Sequence, residues 1–206
     1  MRIKVDVKIF FIIILYIFMQ STKIFALTFI FILLHELGHL VTGITIGLKV
    51  KKINIHISGL SVEFENYGKQ RNANKIVVDI AGPLINIIAL VIAIIIKQEE
   101  IAYINLLLAI VNLLPIYPLD GGQILRTLLR KRFTYKETIN FIESISQYTL
   151  IILTAIASCY LLIGKNIGIF IAILYLWTII FKEKRKNNGN PTRRPPARLI
   201  ANYKVF

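Results

Sequence analysis

Residues 24–48, IFALTFIFILLHELGHLVTGITIGL, form an apolar run whose only ionisable side chains are His35, Glu36 and His39. About 20 apolar residues suffice to cross a bilayer as a helix, so this run has to be placed in lipid. Ionisable groups inside such a span are costly and mark a functional site. On a helix, residues four apart leave the same face one turn apart. His35 and His39 are therefore spaced to grip a single zinc ion through two imidazoles. Glu36, the neighbour of His35, stands where a general base toward a water at that metal is needed.

The rest of the chain points to the same solvent. Hydrophobic residues make up 56% of its 206 positions, which leaves too little polar surface for a soluble domain. Six apolar stretches read as membrane spans, at roughly 9–20, 24–46, 76–96, 101–119, 147–163 and 167–181. The fold class is thus an all-α polytopic membrane protein of about six helices, with a small membrane-associated β-hairpin between helices two and three. Residues 1–181 form the membrane core, and residues 182–206, basic and proline-containing, read as a disordered cytoplasmic tail.

A net charge of +14 would suggest nucleic acid in a soluble protein. Its distribution argues otherwise. With six spans and a cytoplasmic N-terminus, every Lys and Arg except Lys23, Lys97 and Lys165 falls on the cytoplasmic side. The positive-inside rule then puts both termini in the cytoplasm, and the basic segments favour anionic lipid. The basic, apolar N-terminus reads as an uncleaved first span, because no convincing small-x-small cleavage site follows it. Cys159 stands alone, which rules out an internal disulfide or a thiolate cluster.

Between the second and third spans the pattern changes from helical to alternating. Lys52–Ser58 and Ser61–Asn66 each alternate polar and apolar residues, with Gly59-Leu60 available for a turn. Ile53, Ile55, Ile57, Val62 and Phe64 make the apolar face, and His56 falls on the polar one as a solvated strand histidine. An edge strand offers unpaired N–H and C=O groups. Ile55 or Val62, whichever lies on the free edge, marks where an extended substrate could add as a strand.

Two further segments carry polar groups at membrane depth. Span three contains Asp79 and then AGPLIN, residues 81–86, in which Pro83 frees a carbonyl and Asn86 needs a partner. Span four ends in NLLPIYPLDGG, residues 112–122, where two prolines break the helix and the paired glycines let backbone pass closely. Irregular backbone at that depth is tolerated only in protein or beside a wet cavity. Asp120 is then the natural third ligand for a two-histidine site. His35 lies roughly 15–20 Å from the cytoplasmic end of its helix, at about 1.5 Å per residue, in the same half of the bilayer. Asn86 and Asn112 are the available donors to an oxyanion.

HELGH in a span, AGPLIN and NLLPIYPLDGG, in that order, resemble the site-2 protease family of intramembrane zinc metalloproteases, peptidase M50. The NLLPIYPLDGG segment resembles that of the sporulation branch, typified by stage IV sporulation protein FB. The resemblance implies one zinc per chain on His35, His39 and Asp120, with Glu36 as the catalytic acid/base. It also implies a membrane-associated protein substrate, in that branch the pro-sequence of the sporulation factor pro-sigma-K, cleaved in the mother cell under restraint by small membrane partners. Residues 182–206 are too few for the CBS module usual in that branch, and there is no PDZ insertion. A metal-carrying transporter is the competing class, but it has no use for Glu36 between the histidines and would tend to show repeated halves. A catalytically dead adaptor would be expected to have lost one of the four residues.

Overall fold

The computed structural model describes residues 3–5, 22–56, 59–65, 67–164, 173–174, 176–178, 180–181, 184 and 204–205. By its internal contacts the chain divides into two compact units, residues 1–113 with 195–206, and residues 114–194.

In the first unit, helix α1 spans Thr22–Thr45 and ends where Gly47 takes φ +84°. Gly47 N donates to Ile44 O at 2.9 Å and Leu48 N to Gly43 O at 2.9 Å. This is a Schellman closure, in which a left-handed residue lets the last turn satisfy its own carbonyls. Helix α2 spans Asn72–Ile95 and contains Pro83, and helix α3 spans Glu99–Leu113. At the starts of α1 and α3, Lys23 Nζ meets Glu100 Oε2 at 2.7 Å.

The burial pattern of α2 is inverted relative to a soluble helix. Lys75, Asp79, Gly82, Pro83 and Asn86 are buried, while Val77, Ile80, Leu84, Ile87, Ile88 and Val91 are exposed. Apolar surface facing out and polar groups facing in is the arrangement a hydrocarbon solvent selects. Among the described residues three helices are long and apolar enough to cross a membrane, within Ala26–Thr45, Asn72–Ile95 and Tyr135–Cys159.

Between α1 and α2 lies a sheet with strand order β1-β2-β3-β4, formed by Ile3–Val5, Val50–His56, Gly59–Phe64 and Lys204–Val205. The expected hairpin is β2 and β3, antiparallel with Ile53 opposite Val62 and His56 opposite Gly59. Gly59-Leu60 therefore opens β3 instead of forming the turn. Val62, Phe64, Tyr67, Leu48 and Val78 pack as one buried cluster beneath it.

The expected free edge is absent at both marked residues. Ile55 pairs with Val5 in the parallel β1, and Val62 pairs with Val205 in the antiparallel β4. Strands supplied by distant parts of the sequence cover both sides of the hairpin, so neither Ile55 nor Val62 offers an open edge to a substrate.

In the second unit, helix α4 spans Asp120–Leu129 and helix α5 spans Tyr135–Gly164. α5 starts in a capping box: Thr134 N donates to Glu137 Oε2 at 2.8 Å and Glu137 N to Thr134 Oγ1 at 3.4 Å. Ile116, Leu150, Ala157, Ile173 and Ile180 form its core.

The span boundaries shift accordingly. The expected spans 24–46 and 76–96 match α1 and α2 closely. The expected span 101–119 ends as helix at Leu113, because Pro115 and Pro118 cannot continue it. Its 15 residues rise about 22 Å, short of the roughly 30 Å hydrocarbon core. The expected span 147–163 is the second half of the longer α5. The expected span 9–20 lies outside the described residues, and 167–181 lies within them only in part.

The contact between α1 and the sheet can be tested at Gly43, where an added Cβ would lie 2.2 Å from Phe64 Cζ. Phe64 is fully buried. We expect Gly43→Ala to cost about 1–3 kcal/mol, the usual range for overpacking, read as a lower melting temperature in detergent. Adding Phe64→Leu should restore part of the loss.

Candidate active site

α1 turns His35, Glu36 and His39 inward, each no more than 4% exposed, while Leu34, Leu37 and Val41 stay outside. This orientation is possible because the facing stretch of α2 carries almost no side chain. A Cβ on Gly38 would lie 2.9 Å from Ala81 O, and one on Gly82 would lie 2.3 Å from His39 Nε2 and 2.6 Å from His35 Nε2. Small residues let two membrane helices approach to backbone contact. Here the space they leave is filled by imidazole.

The two rings stand edge to face with centroids 4.8 Å apart, and their Nε2 atoms are 3.2 Å apart. Each Nδ1 is engaged from behind. His39 Nδ1 donates to the main-chain Val78 O at 2.7 Å, and His35 Nδ1 donates to Asn86 Oδ1 at 2.6 Å. With both Nδ1 atoms carrying protons, both Nε2 atoms present lone pairs. Two lone pairs that converge within 3.2 Å repel each other unless a cation lies beside them. The pair therefore fits a metal ion, and neutral imidazole is a zinc ligand of choice.

Below the histidines, Tyr67 Oη donates to Asp79 Oδ1 at 2.9 Å and Lys75 Nζ donates to Gly68 O at 2.9 Å. These bonds tie the segment after β3 to the first turns of α2, near the carbonyl that holds His39. Asp79 is thus structural, joining the loop to the helix.

In the second unit, Asp120 is the first residue of α4 and is 1% exposed. The segment before it folds tightly over that helix. A Cβ on Gly122 would lie 2.5 Å from Ile116 O and Tyr117 N, so only glycine admits this crossing. Tyr117 N donates to Ser146 Oγ at 3.0 Å and Gln123 Nε2 to Pro118 O at 3.3 Å, fixing the loop that carries Asp120. Asp120 in this unit, like His35 and His39 in the first, is buried and of a residue type that can ligate a metal ion.

The two asparagines expected at an oxyanion each have protein partners. Asn86 Oδ1 accepts from His35, and its Nδ2 donates to Asn105 Oδ1 at 3.0 Å. Asn112 Nδ2 donates to Leu108 O on its own helix at 3.0 Å. His56 ends β2, paired with Gly59. Sequence reasoning missed Asn105, wholly buried on α3, and Gly82. An asparagine in the middle of the apolar run IAYINLLLAIV signals Asn105 as clearly as AGPLIN signals Asn86.

The fold resembles that of a solved site-2 protease. The solved site-2 protease from Methanocaldococcus jannaschii matches with a TM-score of 0.66 and 24% identity, over 89% of this chain and 90% of that one. The family models give the more particular assignment. The Peptidase M50B-like model matches residues 8–118 and the Peptidase family M50 model residues 98–156, so the chain belongs to peptidase family M50. A zinc metalloprotease of Methanocaldococcus jannaschii is 27% identical over 174 residues, 79% of this chain and 49% of that protein. Stage IV sporulation protein FB of Bacillus subtilis is 27% identical over 168 residues, 76% of this chain and 57% of that protein. The chain thus spans about half the length of these curated relatives.

The glycine cradle makes a direct prediction. Gly82→Ala puts a methyl group where the two Nε2 atoms converge, so the purified variant should hold far less than one zinc per chain by elemental analysis. His39→Phe should do the same. Full zinc in both would remove the histidine pair from the metal site.

Proposed function

We propose that this chain is an intramembrane zinc endopeptidase that hydrolyses a peptide bond of a membrane-associated protein. In this reading His35, His39 and Asp120 hold one zinc ion and Glu36 is the acid/base. The observation that carries it is the pair of buried imidazoles, Nε2 atoms 3.2 Å apart against the bare backbone of Gly82, inside an apolar span.

Two neutral imidazoles and one carboxylate leave a single positive charge on a divalent ion, which a low-dielectric site tolerates better than two. Bound there, zinc would polarise the scissile carbonyl and acidify the attacking water. Glu36, one residue from His35 and 4% exposed, takes the proton from that water and returns it to the leaving amine. The substrate has to be extended at the cleaved bond, because a helix shields its own carbonyls and a peptide freed from one needs new partners where water is scarce.

For the substrate we favour the pro-sequence of a sporulation sigma factor, pro-sigma-K-like, at a cell membrane with both termini of the chain cytoplasmic. NLLPIYPLDGG at residues 112–122 and the likeness to a sporulation protein support this choice. Small membrane partners that restrain cleavage, and anionic lipid along the basic segments, complete the proposal. Another membrane-bound regulator is the alternative substrate. A metal transporter is disfavoured, because it would leave the buried Glu36 without a task.

The test separates binding from chemistry. Glu36→Gln should keep about one zinc per chain and cut cleavage of a membrane-associated pro-sigma-like peptide by about 10²- to 10⁴-fold, the range for a general acid/base. Asp120→Asn should weaken zinc binding itself. Undiminished cleavage by the Glu36 variant would assign the chemistry to another group.

A further inference from the structure

Amides and imidazoles can each present a donor or an acceptor, so a row of them has no inherent direction. Direction is set by a group that can only accept or only donate. Behind His35 such a group exists. Asn105 Nδ2 lies 2.9 Å from Ile101 O, a main-chain carbonyl that can only accept. Nδ2 of Asn105 must therefore face Ile101, which turns its Oδ1 toward α2. Asn86 Nδ2 donates to that oxygen at 3.0 Å, which turns Asn86 Oδ1 toward α1. His35 Nδ1 meets Asn86 Oδ1 at 2.6 Å and has to carry the proton, which puts the ring's lone pair on Nε2. Asn86 and Asn105 are both 0% exposed, so no water competes for these atoms.

We infer that Asn86 and Asn105 are positioning residues that transmit the polarity of the Ile101 carbonyl across three helices and so fix His35 as the Nδ1–H tautomer able to bind metal. The inference rests on the proposed role of His35 as a zinc ligand. The two halves of the site are built differently. His39 takes its direction straight from a main-chain carbonyl, Val78 O at 2.7 Å, which no side-chain substitution removes. His35 takes its direction through two side chains and can lose it. A reversed chain would put a proton on His35 Nε2, pointing at the metal position, and block the lone pair.

A merely structural network predicts a different outcome. Leaving one buried amide without its partner is destabilising, whereas replacing both partners by apolar groups is close to neutral. If Asn86 and Asn105 only join helices, the double variant Asn86→Leu/Asn105→Leu should recover whatever each single variant loses. If they orient His35, the double variant recovers stability but not metal affinity.

The experiment uses the full chain in detergent, stripped of metal, with zinc affinity read by competition against a chromophoric chelator and the site read by the visible spectrum of added Co²⁺. Asn86→Leu should weaken zinc by about 10- to 100-fold, the usual effect of losing a group behind a metal-bound histidine, and alter the Co²⁺ bands. Asn86→Asp keeps an acceptor on Nδ1 and should regain most of that affinity. Asn105→Leu should weaken zinc in the wild-type background and have no further effect in the Asn86→Leu background. Wild-type affinity in Asn86→Leu, or an equal effect of Asn105→Leu in both backgrounds, overturns the inference. His35→Phe keeps the two failures apart. If it abolishes zinc binding while Asn86→Leu does not, only the positioning role falls, whereas if it binds zinc fully, the ligand assignment falls with it.

Discussion

The backbone-close contact of α1 with α2 at Gly38, Ala81 and Gly82 is the constraint on which the first unit depends. Two imidazoles can occupy the interior of an apolar helix pair only if the facing helix yields its side-chain volume to them. Gly82 does this at the Nε2 atoms, and Gly38 allows the helices to approach far enough for Val78 O and Asn86 to reach the Nδ1 atoms. Pro83 follows at once. Its missing N–H leaves the carbonyl of Asp79 without the usual helical donor, in the same turn that Tyr67 grips through the Asp79 side chain. Glycine, proline and asparagine within six residues thus build a polar pocket in a helix that otherwise reads as a lipid-facing rod.

Solvent explains why those polar groups are linked in chains. In water an unsatisfied amide finds a partner at little cost; in hydrocarbon each one costs several kcal/mol or so. Every polar atom brought to the depth of His35 has to be answered by another, until the series ends on a main-chain carbonyl. Ile101 O ends one series and Val78 O the other. The outward faces of α1 and α2, by contrast, need only be apolar, and they are. The same rule governs the loop before Asp120, where Ser146 and Gln123 bond to the backbone that Pro115 and Pro118 keep out of a helix.

His35, Glu36 and His39 were legible in the sequence because their relation is local, fixed by the pitch of one helix. Asp120 stood out because two prolines and two glycines in eight residues cannot be an ordinary span. Asn86 was visible as a polar residue out of place, but its task was not, since Asn105 and His35 lie on other helices. The end of α3 at Leu113 was misjudged because the apolar run continues to Leu119 although its helix does not. The strands at Ile3–Val5 and Lys204–Val205 could not be read at all. Each pairs with the hairpin across a long stretch of chain, and no local alternation in a basic tail announces such a partner.

The central claim is that a metal ion sits where the two Nε2 lone pairs converge. X-ray absorption at the zinc edge of the purified chain tests this most directly. The account predicts one zinc in a four-coordinate shell of light atoms at about 2.0–2.2 Å, with the multiple-scattering pattern of two imidazoles. A shell without imidazole scattering, or protein that takes up no zinc while folded, would contradict it.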